Sequence, residues 1–161
     1  MFFKNTDDKL VNFFGKRWSK FDQLSINKDL QKVFDSYFYI FPWDKLNKNS
    51  IGMDIGSGSG RWANFVLPKI KKLYCLDPSI EAINVSKKNL SNHNNCEFIN
   101  GGVNDIDFLA DHSLDFAYSL GVFHHIPNIN QAFNSICSKL KDGAPMLIYV
   151  YYDLSNRGII Y

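Results

Sequence analysis

The residues best suited to chemistry lie close together, in Met53-Asp54-Ile55-Gly56-Ser57-Gly58-Ser59-Gly60-Arg61-Trp62. An apolar run feeds three alternating glycines, and a helical pattern follows. Glycine tolerates positive φ and lets a ligand approach the backbone where a Cβ would stand in the way. A helix opening behind such a turn brings unpaired amide N–H groups. The turn either cradles a ligand or is merely tight. Its spacing is G-x-G-x-G, and Arg61 stands where the dinucleotide pattern G-x-G-x-x-G needs its third glycine. Arginine is too large for the close helix–strand packing that glycine serves there, which counts against a nicotinamide or flavin dinucleotide. No Gly-Lys-Ser/Thr follows, so the P-loop pattern is absent.

A second acidic residue ends the next apolar run. Asp77-Pro78 closes Lys72–Leu76, about 20 residues past the loop, the distance at which a carboxylate can accept hydrogen bonds from ribose hydroxyls. The alternative role is electrostatic, since a helix begins at Ile80 and its N-terminus favours negative charge. His124 and His125 follow the fourth apolar run. Either is suited to take a proton near neutral pH, and either can equally cap a loop. Adjacent side chains are expected to diverge, and the other histidines lie elsewhere, so no metal site is expected.

Positioning these groups requires a particular set of elements. From Ile51 onward, short apolar runs (Ile51–Ile55, Lys72–Leu76, Glu97–Ile99, Leu114–Ser119, Met146–Tyr152) alternate with amphipathic stretches (Arg61–Leu67, Ile80–Leu90, Ile129–Leu140). That alternation predicts an α/β fold, a doubly wound parallel sheet with helices on both faces. Ligands of such sheets sit outside the carboxyl ends of the strands. Residues 1–46 differ: they are rich in Phe, Tyr and Trp, and Leu30, Val33, Phe34, Tyr37, Phe38 and Phe41 fall on one helical face that Pro42 should end. Asn47-Lys48-Asn49-Ser50 reads as a linker, giving an N-terminal helical segment (1–46) and a core (47–161).

Composition narrows the class. The chain has 161 residues, 45% hydrophobic and 21% charged, enough for one domain. A net charge of +2 is too small to predict nucleic-acid binding. The longest apolar run falls far short of the roughly 20 residues of a membrane span. Three scattered cysteines without C-x-x-C spacing read as reduced thiols, and a cytoplasmic location is expected.

Four segments together resemble the class I S-adenosylmethionine-dependent methyltransferases. Asp54–Gly60 looks like their first motif and Leu76-Asp77-Pro78-Ser79 like their second. Asn100-Gly101-Gly102-Val103-Asn104-Asp105-Ile106 sits where the family has its adenine-side loop, and Ser119–Pro127 looks like the segment after the fourth strand. The resemblance covers residues 51–152 and implies a Rossmann-like sheet ordered 3-2-1-4-5. It implies that Gly56, Ser57, Gly58 and Gly60 turn beneath the methionine end of the cofactor, with Asp54 beside its amino group. By the same resemblance Asp77 and Pro78 hold the ribose, Val103 and Asn104 border the adenine, and Ser119 and Leu120 close over the methionine end. Gly102 departs from the pattern, since the family often has Asp there. Phe14–Phe21 resembles an aromatic segment ahead of this domain in some relatives, where Trp18 and Phe21 either form a lid or pack against the sheet.

The resemblance implies methyl transfer by in-line displacement to a small molecule, or to a lipid or sugar intermediate. His124 or His125 would act as base if the acceptor is a hydroxyl. No Asn-Pro-Pro-Tyr-like segment follows the fourth strand, so nucleic-acid amino methylation has no support. The family sheet has seven strands, whereas nine residues follow Tyr152 here. The expectation is therefore five strands, with the last strands of the family fold missing and strand five an exposed edge open to self-association. A non-catalytic module acting through that edge, and a nicotinamide-dependent oxidoreductase, are the alternatives.

Overall fold

The computed structural model describes residues 5–20 and 29–151; Phe21, Tyr152 and residues 153–161 lie outside the described residues. Five apolar segments pair in parallel: β1 (Ile51–Ile55), β2 (Lys72–Asp77), β3 (Cys96–Asn100), β4 (Phe116–Leu120) and β5 (Met146–Tyr149). Their order is β3-β2-β1-β4-β5, as the resemblance implies, in the parallel sheet that the strand–helix alternation predicts. Among the described residues five α-helices accompany them: α1 (Asp8–Lys20), α2 (Leu30–Tyr37), α3 (Ala63–Val66), α4 (Ile80–Asn89) and α5 (Ile129–Lys139). No described helix is long and apolar enough to cross a membrane.

The two-residue period of the strands builds two cores. Leu73, Cys75, Phe116 and Tyr118 face one side and pack against Phe34, Phe38, Phe41, Trp62 and Val66. Met53, Ile55, Leu76 and Ala117 face the other, against Val103, Ile106, Ala132 and Ile136. Each fully buried large side chain contributes about 1.5–3 kcal/mol, so the aromatic N-terminal segment is a structural part of the first core. Phe116 crosses directly over Gly52, where a Cβ would lie 2.2 Å from its ring. Three helices start on side-chain caps: Asp7 Oδ1 accepts from the Lys9 and Leu10 N–H groups at 2.9 and 3.2 Å, Ser79 Oγ from the Ala82 N–H at 3.3 Å, and Asn128 Oδ1 from the Gln131 N–H at 3.0 Å. Each cap contributes about 1 kcal/mol.

Element ends differ from the sequence pattern for local reasons. The helix expected to run to Phe41 stops at Tyr37, where the chain tightens into a Phe41 N–H to Phe38 carbonyl bond of 3.0 Å. Leu30, Phe34, Phe38 and Phe41 are still buried, but Val33 is exposed. The helix behind the glycine loop shrinks to four residues, and Pro68, which lacks an N–H, sits in the 3-10 turn that follows. Leu114 makes only an isolated bridge to Leu140, so β4 begins two residues later. β5 ends at Tyr149 and is an edge strand among the described residues, with the Tyr37 ring packed edge-on against Tyr149 at 4.8 Å.

Candidate functional site

A cavity of about 800 Å³ lies at the carboxyl ends of β1, β2 and β4, within the range typical of small-ligand sites. Its floor is the turn between β1 and α3. Gly56, Gly58 and Gly60 have φ of 73°, 54° and 77°, the left-handed region that suits glycine. A Cβ at Gly56 would lie 2.4 Å from Val122, and one at Gly60 would lie 2.5 Å from Ser86 Oγ on α4. The loop is tied to β2, since the N–H groups of Gly56 and Ser57 both donate to the Leu76 carbonyl, at 2.8 and 3.0 Å.

Two buried carboxylates face this loop. Asp77 accepts from the Gly58 N–H through Oδ2 and from the Ser79 N–H through Oδ1, both at 2.9 Å. One bond to each oxygen leaves lone pairs on both for a ligand. Burial raises its pKa above the ordinary carboxylate value, and the two backbone N–H groups oppose that rise. Asp54 accepts from the Tyr118 hydroxyl at 2.9 Å. Complete burial pushes its pKa up to about 7; the Asp77 charge adds to the rise, while Tyr118 and Arg61 counter it. Both carboxylates line the cavity, where they offer acceptor oxygens to a ligand carrying positive charge.

The roof is α1. Leu10, Val11, Phe14, Arg17 and Trp18 line the cavity from this helix, and Asn5, Thr6 and Asp7 from the segment before it. Gly15 lets α1 lie against the start of α4, where a Cβ would meet Ser79 Oγ at 2.3 Å. Trp18 sits over Gly58, with a Cβ at Gly58 only 3.1 Å from the indole. The Arg61 guanidinium is 4.3 Å from the Trp62 ring centroid and 5.6 Å from that of Trp18. The segment before α1 is anchored to the start of α5: Asn5 Nδ2 donates to the Asn128 carbonyl at 2.9 Å, and the Asn128 N–H returns a bond to Asn5 Oδ1 at 2.8 Å.

The structure brings Asp54, Gly56, Ser57, Gly58, Asp77, Pro78, Leu120 and His125 to the cavity wall. Ser57 Oγ is buried there without a hydrogen-bond partner among the described residues. The remaining expected residues stand off that wall. Gly60 packs beneath α4. Val103 turns into the second core. Asn104 is half-buried, with its amide oxygen unpartnered. Ser119 is fully buried, and its hydroxyl donates to the Ile55 carbonyl at 2.9 Å. The expectation that the adjacent histidines diverge is corrected: the 3-10 turn Phe123–His125 sets their rings 3.9 Å apart. His125 faces the cavity and Phe14, whereas His124 packs on Tyr151 at 4.6 Å and has its pKa lowered by burial and by His125.

Sequence reasoning missed Tyr118, and in α1 it found only Trp18 of the cavity-lining residues. The Tyr118 signal was present: strand period places it on the face of Phe116, in register opposite Asp54. The α1 stripe also had the 3.6-residue period, at Leu10, Val11, Phe14 and Trp18.

Residues 53–148 match a family described as a methyltransferase domain. A 63-residue stretch is 36% identical to the probable cobalt-precorrin-6B C(15)-methyltransferase (decarboxylating) of Methanocaldococcus jannaschii, over 38% of this chain and 34% of that protein. Among solved structures, the YcgJ protein of Bacillus subtilis superimposes with a TM-score of 0.65 at 20% identity, covering 77% of this chain and 50% of that one. Phosphoethanolamine N-methyltransferase 1 of Haemonchus contortus gives 0.67 at 15% identity, covering 83% and 30%. At such identities the likeness carries the fold alone. The chain spans about half the length of the Bacillus subtilis protein and a third of the Methanocaldococcus jannaschii one. With the family matched across β1 to β5 and the cavity at its strand ends, the chain belongs to the class I S-adenosylmethionine-dependent methyltransferases.

Proposed function

We propose that this chain binds S-adenosylmethionine in the cavity beneath α1 and directs its methyl group to a small-molecule acceptor. The observation that carries the reading is the convergence of the glycine turn, Asp54 and Asp77 on one enclosed space. The residues present fit the cofactor: the glycines leave room that a Cβ would fill, Ser57 Oγ is an orphaned polar atom, and two buried carboxylates offer acceptors. In this reading Asp77 and Pro78 hold the ribose. Asp54 and the loop from Gly56 to Gly60 take the amino-acid end, with Ser119 and Leu120 behind them. Val103 and Asn104 lie on the adenine side.

When bound, the cofactor supplies an electrophilic methyl group on a sulfonium. The chain contributes alignment and exclusion of water, which alone can account for several kcal/mol of a barrier. α1, in the N-terminal segment 1–46, covers the core 47–161 as a lid, with Trp18 as its inner surface. His125 lines the cavity and is the ring placed to accept a proton from an acceptor hydroxyl. His124 sits behind it. A small acceptor suits a roofed cavity; one of the similar proteins is named as a probable cobalt-precorrin-6B methyltransferase, and another was solved with phosphoethanolamine.

The test is to incubate the chain with methyl-labelled S-adenosylmethionine and fractionated small-molecule, lipid and nucleic-acid pools. Label in a small-molecule or lipid product, abolished by Gly58→Val, supports the reading. Label transferred only to nucleic acid or protein overturns it. One observation favours a second reading, a module acting through β5: Val150 and Tyr151 are exposed just beyond this edge strand. A dimer in sedimentation that is lost in Val150→Lys, with no cofactor bound, would select it.

A further inference from the structure

Tyr118 is the largest fully buried side chain of the described residues, and its hydroxyl meets Asp54 at 2.9 Å. Strand register alone puts the two residues opposite each other on β4 and β1. The ring cannot swing away, because Phe38 packs edge-on against it at 5.2 Å and Phe116 stacks at 6.4 Å. A buried phenol needs a partner, and a carboxylate with one oxygen so engaged still offers its other oxygen. Asp54 lines the cavity and Tyr118 does not.

We propose that Tyr118 is a positioning residue: its hydroxyl fixes the orientation of the Asp54 carboxylate and holds it as an acceptor toward the cationic amino-acid end of the cofactor. This rests on the cofactor reading above. The groups facing Asp54 are Tyr118 on β4, Asp77 and Cys75 on β2, and Arg61 behind the glycine loop. Of these, Tyr118 and Arg61 favour its ionised form and Asp77 opposes it, while burial is the largest effect and favours the neutral acid. Binding a cation beside Asp54 therefore expels a proton near neutrality, and removing the Tyr118 hydroxyl enlarges that proton release.

The experiment is calorimetric titration with S-adenosylhomocysteine from pH 6 to 9, in two buffers of different ionisation enthalpy, for the full chain and Tyr118→Phe. The expected result is binding about tenfold weaker at pH 7 in the variant, with more protons released per ligand and the gap closing by pH 9. Equal affinity and equal proton release at every pH would overturn the proposal while leaving the cofactor reading intact. If the full chain itself does not bind, the cofactor reading fails. The Asp54–Tyr118 coupling is then judged by carbon-13 titration of the Asp54 carboxyl, whose midpoint must rise in Tyr118→Phe. Should that variant not fold, 3-fluorotyrosine at position 118, a stronger donor of nearly the same shape, must move the midpoint down; an unmoved midpoint overturns the proposal.

Discussion

Asp54 should make this protein less stable as the pH rises, and Asp54→Asn should remove that cost. The carboxyl is completely buried, and its pKa is pushed from 3.8 to about 7. The folded state therefore holds a proton that the unfolded chain gives up between those values. Stability falls with pH wherever the folded state binds more protons, so the loss begins near pH 4 and is complete above pH 7. Between pH 5 and pH 8 the effect is about 3 kcal/mol, a large share of the stability of a domain of this size. Burial also raises the Asp77 pKa, with the same sign, so the wild-type slope alone does not isolate Asp54. The difference between the two proteins does. Asparagine keeps the shape and an oxygen for the Tyr118 hydroxyl. Urea unfolding at pH 5, 6.5 and 8 should show Asp54→Asn gaining on the wild type by about 3 kcal/mol across that range. A constant difference at all three pH values would refute the reasoning, because the buried carboxyl would then be ionised throughout or never.

Other perturbations act on the loop and the roof. Gly56→Ala forces a side chain into positive φ and against Val122, and should destabilise the fold by about 2–4 kcal/mol in urea unfolding. Trp18→Ala opens the space over Gly58, and should weaken S-adenosylhomocysteine binding about tenfold in calorimetry without altering the far-ultraviolet spectrum. Asn5→Ala removes both bonds to Asn128, about 2 kcal/mol of anchoring, and should speed tryptic cleavage within α1 roughly thirtyfold.

Much of the sheet was legible because its strands are apolar, short and bounded by turn residues. The run Ile51–Ile55 matches β1 residue for residue, the parallel sheet follows from the alternation, and the strand order from the resemblance. Element ends were less legible where tertiary contacts override local pattern, as at Phe38 and Phe41. These two leave the helix yet stay in the core, because aromatic packing on Tyr118, Phe116 and Trp43 holds them. At the site, glycines and acidic residues announce themselves by type and spacing. Tyr118 and the Asn5–Asn128 clasp do not, since each derives its role from a partner 64 or 123 residues away. The histidine pair illustrates the same limit: a 3-10 turn aims one ring into the cavity and the other onto Tyr151. The family assignment leaves the nicotinamide-dependent alternative without support.

The most direct test of the cofactor site is equilibrium dialysis of the full chain against labelled S-adenosylmethionine, beside Asp77→Asn. The variant keeps one oxygen, enough for one of the Gly58 and Ser79 N–H groups, and loses the anion. Micromolar binding, about −8 kcal/mol, is expected for the wild type, falling at least tenfold in a variant whose circular dichroism is unchanged. A folded wild-type chain that retains no label, or a variant that binds as tightly as the wild type, would contradict the assignment.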